Sequence, residues 1–384
     1  MKRLKPKTDA GKRGVALVVV LFLVMAITIL SLGFLSRSDV ELACGENVIL
    51  RQQMDYLAES GLEHARGLIL SPQDVGSQYW PGQAAQQIAV GDDYYDVTVV
   101  RDDPNRCNYL ITCNAYRLKA GKQVGRSSLT AELRLDPCIA FWAGSAWTSE
   151  QQTTVNGDVY CNGDLQGVGH ISGDAFASGN ITVNITGRKN PMVAQAPVAW
   201  PGLVRGDFST SYYIGSTAYS TIIFDSNDHP TGSFGPSAGN PAGIRYCSGD
   251  VNLPGGVDIT GMLVVDGNLA ITGADNTITA VKNFPALLVG GQLVMKNNGT
   301  LAINGLAQIG RRVLFGAGAE NAHIDVLGAL FIENGNIDGL SSVLNSVEIT
   351  AAPAVACIEV WPEPANPLRW SPAGGAFFKS IGRN

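Results

Sequence analysis

The rhythm of apolar and polar positions changes along the chain, and each change marks a different element. From Val15 to Leu35 the sequence "VALVVVLFLVMAITILSLGFL" contains no charged residue. A helix of that length, at about 1.5 Å per residue, crosses the roughly 30 Å hydrocarbon layer of a bilayer. The helical period continues past the apolar run. Leu50, Met54, Leu57, Gly61, Ala65 and Leu68 recur at three- and four-residue steps, while Arg51, Asp55, Glu59, Glu63 and Arg66 fall between them. That spacing puts the apolar set on one face. A single helix over 15–70 extends for about 84 Å, and Ser71-Pro72 ends it.

Period two follows. "YYDVTVVR" (94–101), "CNYLITCNAYRLK" (107–119) and "SSLTAELRLD" (127–136) read as strands, separated by the turn-forming "DDPNR" and "AGKQVGR". A three-stranded meander of this kind can close over the amphipathic half of the helix. Beyond Pro137 a frame with a central glycine repeats. "LVVDGNLAI" (263–271), "LLVGGQLVM" (287–295) and "IDVLGALFI" (324–332) carry apolar residues two and four positions from Gly267, Gly291 and Gly328, which read as equivalent. The frame recurs around Gly179 and in part around Gly157, Gly163, Gly173, Gly249 and Gly261. Side chains at every second position share a face, and stacked units of this type bury a ladder that none buries alone. Cys161 and Cys247 take inward positions of the frame, which suits core packing.

The chain thus divides into a basic leader (1–14), a long helix (15–70) with its membrane half at 15–35, and a small antiparallel sheet (71–137). A glycine-rich body (138–352) follows, interrupted at 188–246, and then a C-terminal strand with a proline-rich segment (353–384). The expected body is an all-β irregular parallel solenoid, with a β-sandwich as the alternative.

Composition narrows the function classes. Net charge is −6 and the basic residues concentrate at the N-terminus, which is no nucleic-acid footprint. Forty-five glycines with 16 per cent charged residues suit tight turns between short strands. Seven cysteines cannot all pair within one chain, and they include no CxxC spacing, so neither a metal nor a cofactor is expected. Cys107 and Cys113 stand about 20 Å apart on one extended strand and cannot bridge each other. A link from either to Cys138 or another distant cysteine, and a set of buried free thiols, both remain open. Lys2, Arg3, Lys5, Lys7, Lys12 and Arg13 precede the apolar run, while Asp39, Glu41 and Glu46 follow it. The positive-inside bias keeps such an N-terminus cytoplasmic and exports the body. The run exceeds the core of an ordinary cleaved signal and lacks an A-x-A site.

The basic leader ending in Gly14, then "VALVVVLFLVMAITIL", then "RQQMDYLAESGLEHARGLIL" resembles the N-terminal region of type IV pilin-like proteins. It is most similar to the PilX-type minor pilins and the K-type minor pseudopilin of type II secretion, over about residues 11–70. The resemblance implies an α+β pilin-like module ahead of the all-β body, and cleavage by a prepilin peptidase between Gly14 and Val15. It further implies a subunit held in the bacterial inner membrane and then in a filament, whose partners are other pilin-like helices. Candidate helix-packing positions are Val19, Gly33, Leu50, Met54, Leu57 and Gly61. Major pilins carry a glutamate where this chain has Val19, and its absence, shared with the K-type and PilX-type relatives, implies a minor or tip subunit.

Candidate chemistry is sparse. Trp200, Tyr212 and Tyr213, in the interrupting segment, are candidate contacts for a sugar or a partner protein, with packing of a lid onto the coils as the other reading. "RGD" at Arg205–Asp207 is a chance-level tripeptide, and "DSND" at Asp225–Asp228 lacks the glycine and distal glutamate of a calcium loop. A membrane-tethered carbohydrate-active or carbohydrate-binding β-helix protein is the rival reading, because glycoside hydrolysis needs two facing carboxylates. Asp158, Asp164, Asp174 and Asp250 each follow a glycine, however, which reads as turn chemistry. Histidines are dispersed and no GxSxG or Walker motif occurs. The expectation is a protein that is not an enzyme.

Overall fold

The apolar run and the amphipathic stretch behind it form one helix, α1 (Gly11–Leu70). It appears in a computed structural model that describes residues 11–70, 86–101, 108–214, 216–225, 229–281, 284–340, 343–352, 358–360, 368–370 and 374–383. Behind α1 come four antiparallel strands, β1 (Gln86–Val90), β2 (Asp93–Arg101), β3 (Asn108–Lys119) and β4 (Lys122–Leu135). Among the described residues the sheet has five strands rather than the three expected, because β1 adds to β2 at one edge and the C-terminal strand Ala376–Arg383 pairs with β4 at the other. Alternation sets its packing. Val97, Val99, Ile111, Cys113, Leu129, Ala131 and Leu133 face inward and cover Met54, Ala58, Leu62 and Ala65 of α1. Full burial of a side chain the size of Met54 or Leu62 contributes about 1.5–3 kcal/mol.

After β4 the chain enters the body through β5 (Ile139–Ala143). The body is a solenoid in which strands of successive coils pair in parallel. This excludes the β-sandwich alternative, whose neighbouring strands run antiparallel. Its longest face has ten strands, from Lys189–Asn190 at one end to Ile222–Phe224 at the other. The coils are not laid down in sequence order. β5 starts in the middle of that face, and residues 139–190 wind toward one end. The chain then crosses to the opposite end and winds back over 222–352. The two stacks meet at a seam where β5 pairs with His323–Ile332 and Thr153–Asn156 pairs with Ser346–Ala351. Asn156 Nδ2 donates there to Glu348 Oε1, 192 positions away, at 3.3 Å.

The interruption is therefore shorter than the expected 188–246. Ile222–Phe224, Gly232–Phe234 and Arg245–Cys247 belong to coils, as their parallel pairing shows. They escape the sequence frame because none has the central glycine with apolar flanks.

The glycines also divide. Gly249, Gly267 and Gly291 stack at one corner, each later amide donating to the carbonyl of the one before. Gly328 stacks instead on Gly305 at another corner, in mid-strand, so it is not equivalent to Gly267 and Gly291. Its φ is +148°, and a Cβ there would strike the Gly305 carbonyl oxygen. The corner bend is thus closed to larger residues. Gly328→Val is expected to cost more than the roughly 1–3 kcal/mol of backbone strain alone. Thermal unfolding followed by circular dichroism checks this, and an unchanged midpoint contradicts it.

Candidate functional site

The shaft is bare for more than half its length. Every residue from Ala16 to Ile49 is exposed, and the helix is long and apolar enough to cross a bilayer, with a mean hydropathy of 2.9 in its best window. Val19 is 55 per cent exposed, and open space surrounds Gly33. The Gly14-Val15 peptide lies close to the start of the helix. Further along, the sheet takes over. Leu50 packs against Gly125, where a Cβ would collide with the leucine side chain. Met54 is fully buried, Leu57 packs against the core, and a Cβ on Gly61 would strike Cys113 Sγ and the Tyr95 ring. Of the candidate helix-packing positions, the chain's own sheet covers Met54 and Gly61 and packs against one side of Leu50 and Leu57, which stay half-buried. The physical reason is the inward row of β2, β3 and β4, which offers the same apolar complement that a second helix would.

The segment 191–221 forms a strap along the outside of the ten-stranded face. Beneath it runs a second apolar ladder, in which register aligns Tyr246, Val264 and Leu288 and, past Gln308, Phe331, Trp142, Tyr160 and Phe176. Trp200 packs on it with tilted rings, its ring centroid 4.8 Å from Trp142 and 5.9 Å from Phe331. Tyr212 has no exposure; its hydroxyl donates to Asn240 Oδ1 at 2.7 Å and accepts from the Ala242 amide at 2.9 Å. Burial pushes this phenol up to about 12. Tyr213 sits in the hairpin Ser211–Ile214 with Thr217–Ser220 and is half-buried. Of the three candidate ligand contacts, Tyr212 is closed to a ligand and Trp200 is engaged in packing. The RGD arginine ties the strap down, with Arg205 Nε 3.4 Å from Asp266 Oδ1. Asp266 also accepts from the Tyr246 hydroxyl. Of "DSND", Asp225 is exposed and the other three residues lie outside the described ones.

The glycine-following acids hold coils together. Asp158 Oδ2 accepts from the Cys138 amide and Oδ1 from the Asp174 amide, both at 2.7 Å. Asp174 passes the pattern on to the Arg188 amide at 2.7 Å, Asp164 to Asn180 at 2.7 Å and Asp250 to Asn268 at 2.7 Å. These carboxylates replace main-chain acceptors where the corners interrupt the ladder. Burial raises the Asp158 carboxyl despite its two amide donors. Burial also acts to raise Asp174, but the hydrogen bonds and charge of Arg188 outweigh it and hold that carboxyl below its ordinary value. The thiols of Cys113 and Cys161 are pushed up to about 12, mainly by burial, so neither is a ready nucleophile. Cys107 lies outside the described residues. Among the described residues no group of three or more histidine, cysteine, aspartate or glutamate side chains could hold a metal ion.

No protein-family model matches the chain, nor does any curated protein. Among solved structures, it is similar to the competence-associated pilin ComZ from Thermus thermophilus at 11 per cent identity. The match covers 87 per cent of this chain and 97 per cent of that one with a TM-score of 0.24, too low to bear on function.

The lid reading of the interrupting segment fits this packing; what it left unspecified is the surface beneath, the outer side of the ten-stranded face. A signal for it exists: "FWA", "VYC", "LVV", "LLV" and "LFI" are apolar at all three positions, where a strand with one wet face would alternate. Phe331→Ala is expected to cost about 3–5 kcal/mol and to free the strap. Limited proteolysis then cuts within 191–221 well before the wild-type protein is cut there, and equal cutting rates contradict the packing role. A second expectation concerns acid. Because the folded Asp174 carboxyl titrates below its unfolded value near 3.9, its stabilisation is present above that value and is lost as pH falls through the folded one. Between pH 5 and pH 3 the wild type therefore loses more thermal stability than Asp174→Asn, and identical losses contradict the assignment.

Proposed function

We propose that this chain is a minor pilin-like or pseudopilin-like subunit, held in the inner membrane by α1 and then packed by that helix among related subunits. The observation that carries the reading is the bare length of the shaft. A spanning helix needs about 20 residues, yet exposure runs from Ala16 to Ile49. Val40, Leu42, Val48 and Ile49 lie beyond the apolar run and are 56–64 per cent exposed. Aliphatic side chains on a bare helix in water call for neighbours, and parallel shafts supply them.

In this reading a prepilin peptidase removes the leader between Gly14 and Val15, leaving the apolar segment at the new terminus. Val19 supplies no intramembrane carboxylate, which fits a minor or tip position better than the main repeat. The role is mechanical rather than catalytic: helix packing drives assembly and the solenoid is the displayed cargo. The corner acids support this, because each has at least one carboxylate oxygen engaged by a main-chain amide.

Expression with and without a prepilin peptidase tests the processing step. Mature protein beginning at Val15 only when the peptidase is present is the expected result. The same N-terminus in both cases overturns it.

A further inference from the structure

The shaft carries a second apolar stripe, on the side turned away from the sheet. Leu35, Leu42, Ile49 and Tyr56 follow one another at seven-residue steps, and all four are exposed. Seven residues turn a helix through about 700°, so the four stay within about 60° of one another. Met54, Ala58, Leu62 and Ala65, which the sheet covers, are centred about 165° away round the helix. Leu42, Ile49 and Tyr56 also stand about 10, 21 and 31 Å beyond Leu35, where the apolar run ends, so a bilayer spanned by that run leaves them outside its hydrocarbon layer. Neither the sheet nor lipid covers the stripe.

Its period names the kind of partner. Apolar residues every seven positions match a second helix running alongside with a slight left-handed supercoil, whereas a strand row repeats every two. Ser38 and Gly45, three residues after Leu35 and Leu42, are exposed, and open space surrounds Gly45, so another backbone can come close.

Charge on the rims says which helix. Asp39 and Glu46 border the stripe on one side and Glu41 on the other, with Glu59 and Glu63 at its far end. Glu41 pairs with Arg37 at 2.9 Å and Glu63 with Arg66 at 2.7 Å, while Asp39, Glu46 and Glu59 have no ion pair among the described residues. Arg37, Arg51 and Arg66 lie about 80° or more from the stripe round the helix. Lys119 and Lys122 stand with the sheet, and the β1–β2 turn adds the exposed Asp92. A second copy laid stripe to stripe sets acid against acid. A helix with basic rims turns that repulsion into attraction.

We propose that the stripe seats one neighbouring helix, the shaft of a different pilin-like subunit, parallel to α1, whose own seven-residue apolar stripe is rimmed by lysine or arginine. This assignment rests on α1 being an assembly shaft, and it fixes the face used and the charge of the partner.

The test uses the full chain, one copy per phosphatidylcholine nanodisc, and two labelled synthetic helical peptides with leucine and isoleucine at seven-residue steps. One peptide is rimmed by lysine and the other by glutamate, and fluorescence anisotropy reads binding. The lysine-rimmed peptide is expected to bind, one per chain, and the glutamate-rimmed one is not. Ile49→Ser and Tyr56→Ser should each weaken binding about tenfold, as loss of a buried apolar side chain requires. Val48→Ser, an exposed change on another side of the helix, should leave it unchanged. Asp39→Lys combined with Glu46→Lys should transfer the preference to the glutamate-rimmed peptide. Equal binding of the two peptides, binding of neither, or indifference to Ile49→Ser overturns the proposal. Self-association in larger vesicles that Ile49→Ser abolishes also overturns it, giving the face to a second copy. Any of these results with a leader still cut by the prepilin peptidase leaves the assembly reading standing, whereas an uncut leader overturns that reading itself.

Discussion

Main-chain pairing between β5 and the strand His323–Ile332 joins two half-stacks that would each end in an open row of amides and carbonyls. Across this seam Ile332, Ala143 and Cys161 follow one another in a single inward row, all without exposure. Most of the body's other features follow from where the seam lies. Because the chain begins in mid-solenoid, one end has to be connected to the other from outside. The connection runs along a face and covers it, which turns Trp142, Tyr160 and Phe331 from surface residues into a second core.

The same constraint ties the body to the shaft. Both the strand that enters the solenoid and the segment that leaves it do so at the seam, and the departing chain ends as the fifth strand beside β4. The sheet on α1 is therefore completed by residues 376–383, which return to it after the solenoid. A pull on the helix reaches the solenoid at its middle through two routes, so the stacked coils are loaded at their centre and not peeled from one end.

Local elements were largely legible in the sequence, and their order in space was not. The three- and four-residue steps from Leu50 to Leu68 identify the buried face of α1, and the glycine frame identifies parallel coils. Neither says what covers a face. The apolar stripe of α1 would suit a neighbouring helix as well as a strand row, and only the alternation in β2 to β4, brought against it by the fold, decides between them. Likewise "GD" pairs such as Gly157-Asp158 announce corners, but that Asp158 serves the amide of Asp174 depends on which coil lies next. The seam is the least legible feature, because residues 192 positions apart carry no mutual signal in one sequence.

Interrupted winding has a further consequence during synthesis. Residues 139–190 leave the ribosome as a half-stack whose β5 edge has no partner until His323–Ile332 is made. At about 5–20 residues per second this wait lasts roughly 10–40 s. Throughout that interval an unpaired strand carrying Phe141 and Trp142 faces the surrounding medium, and the native contact it awaits is of very high sequence separation. A protein wound in this way depends on protection of its nascent chain far more than a solenoid laid down coil by coil.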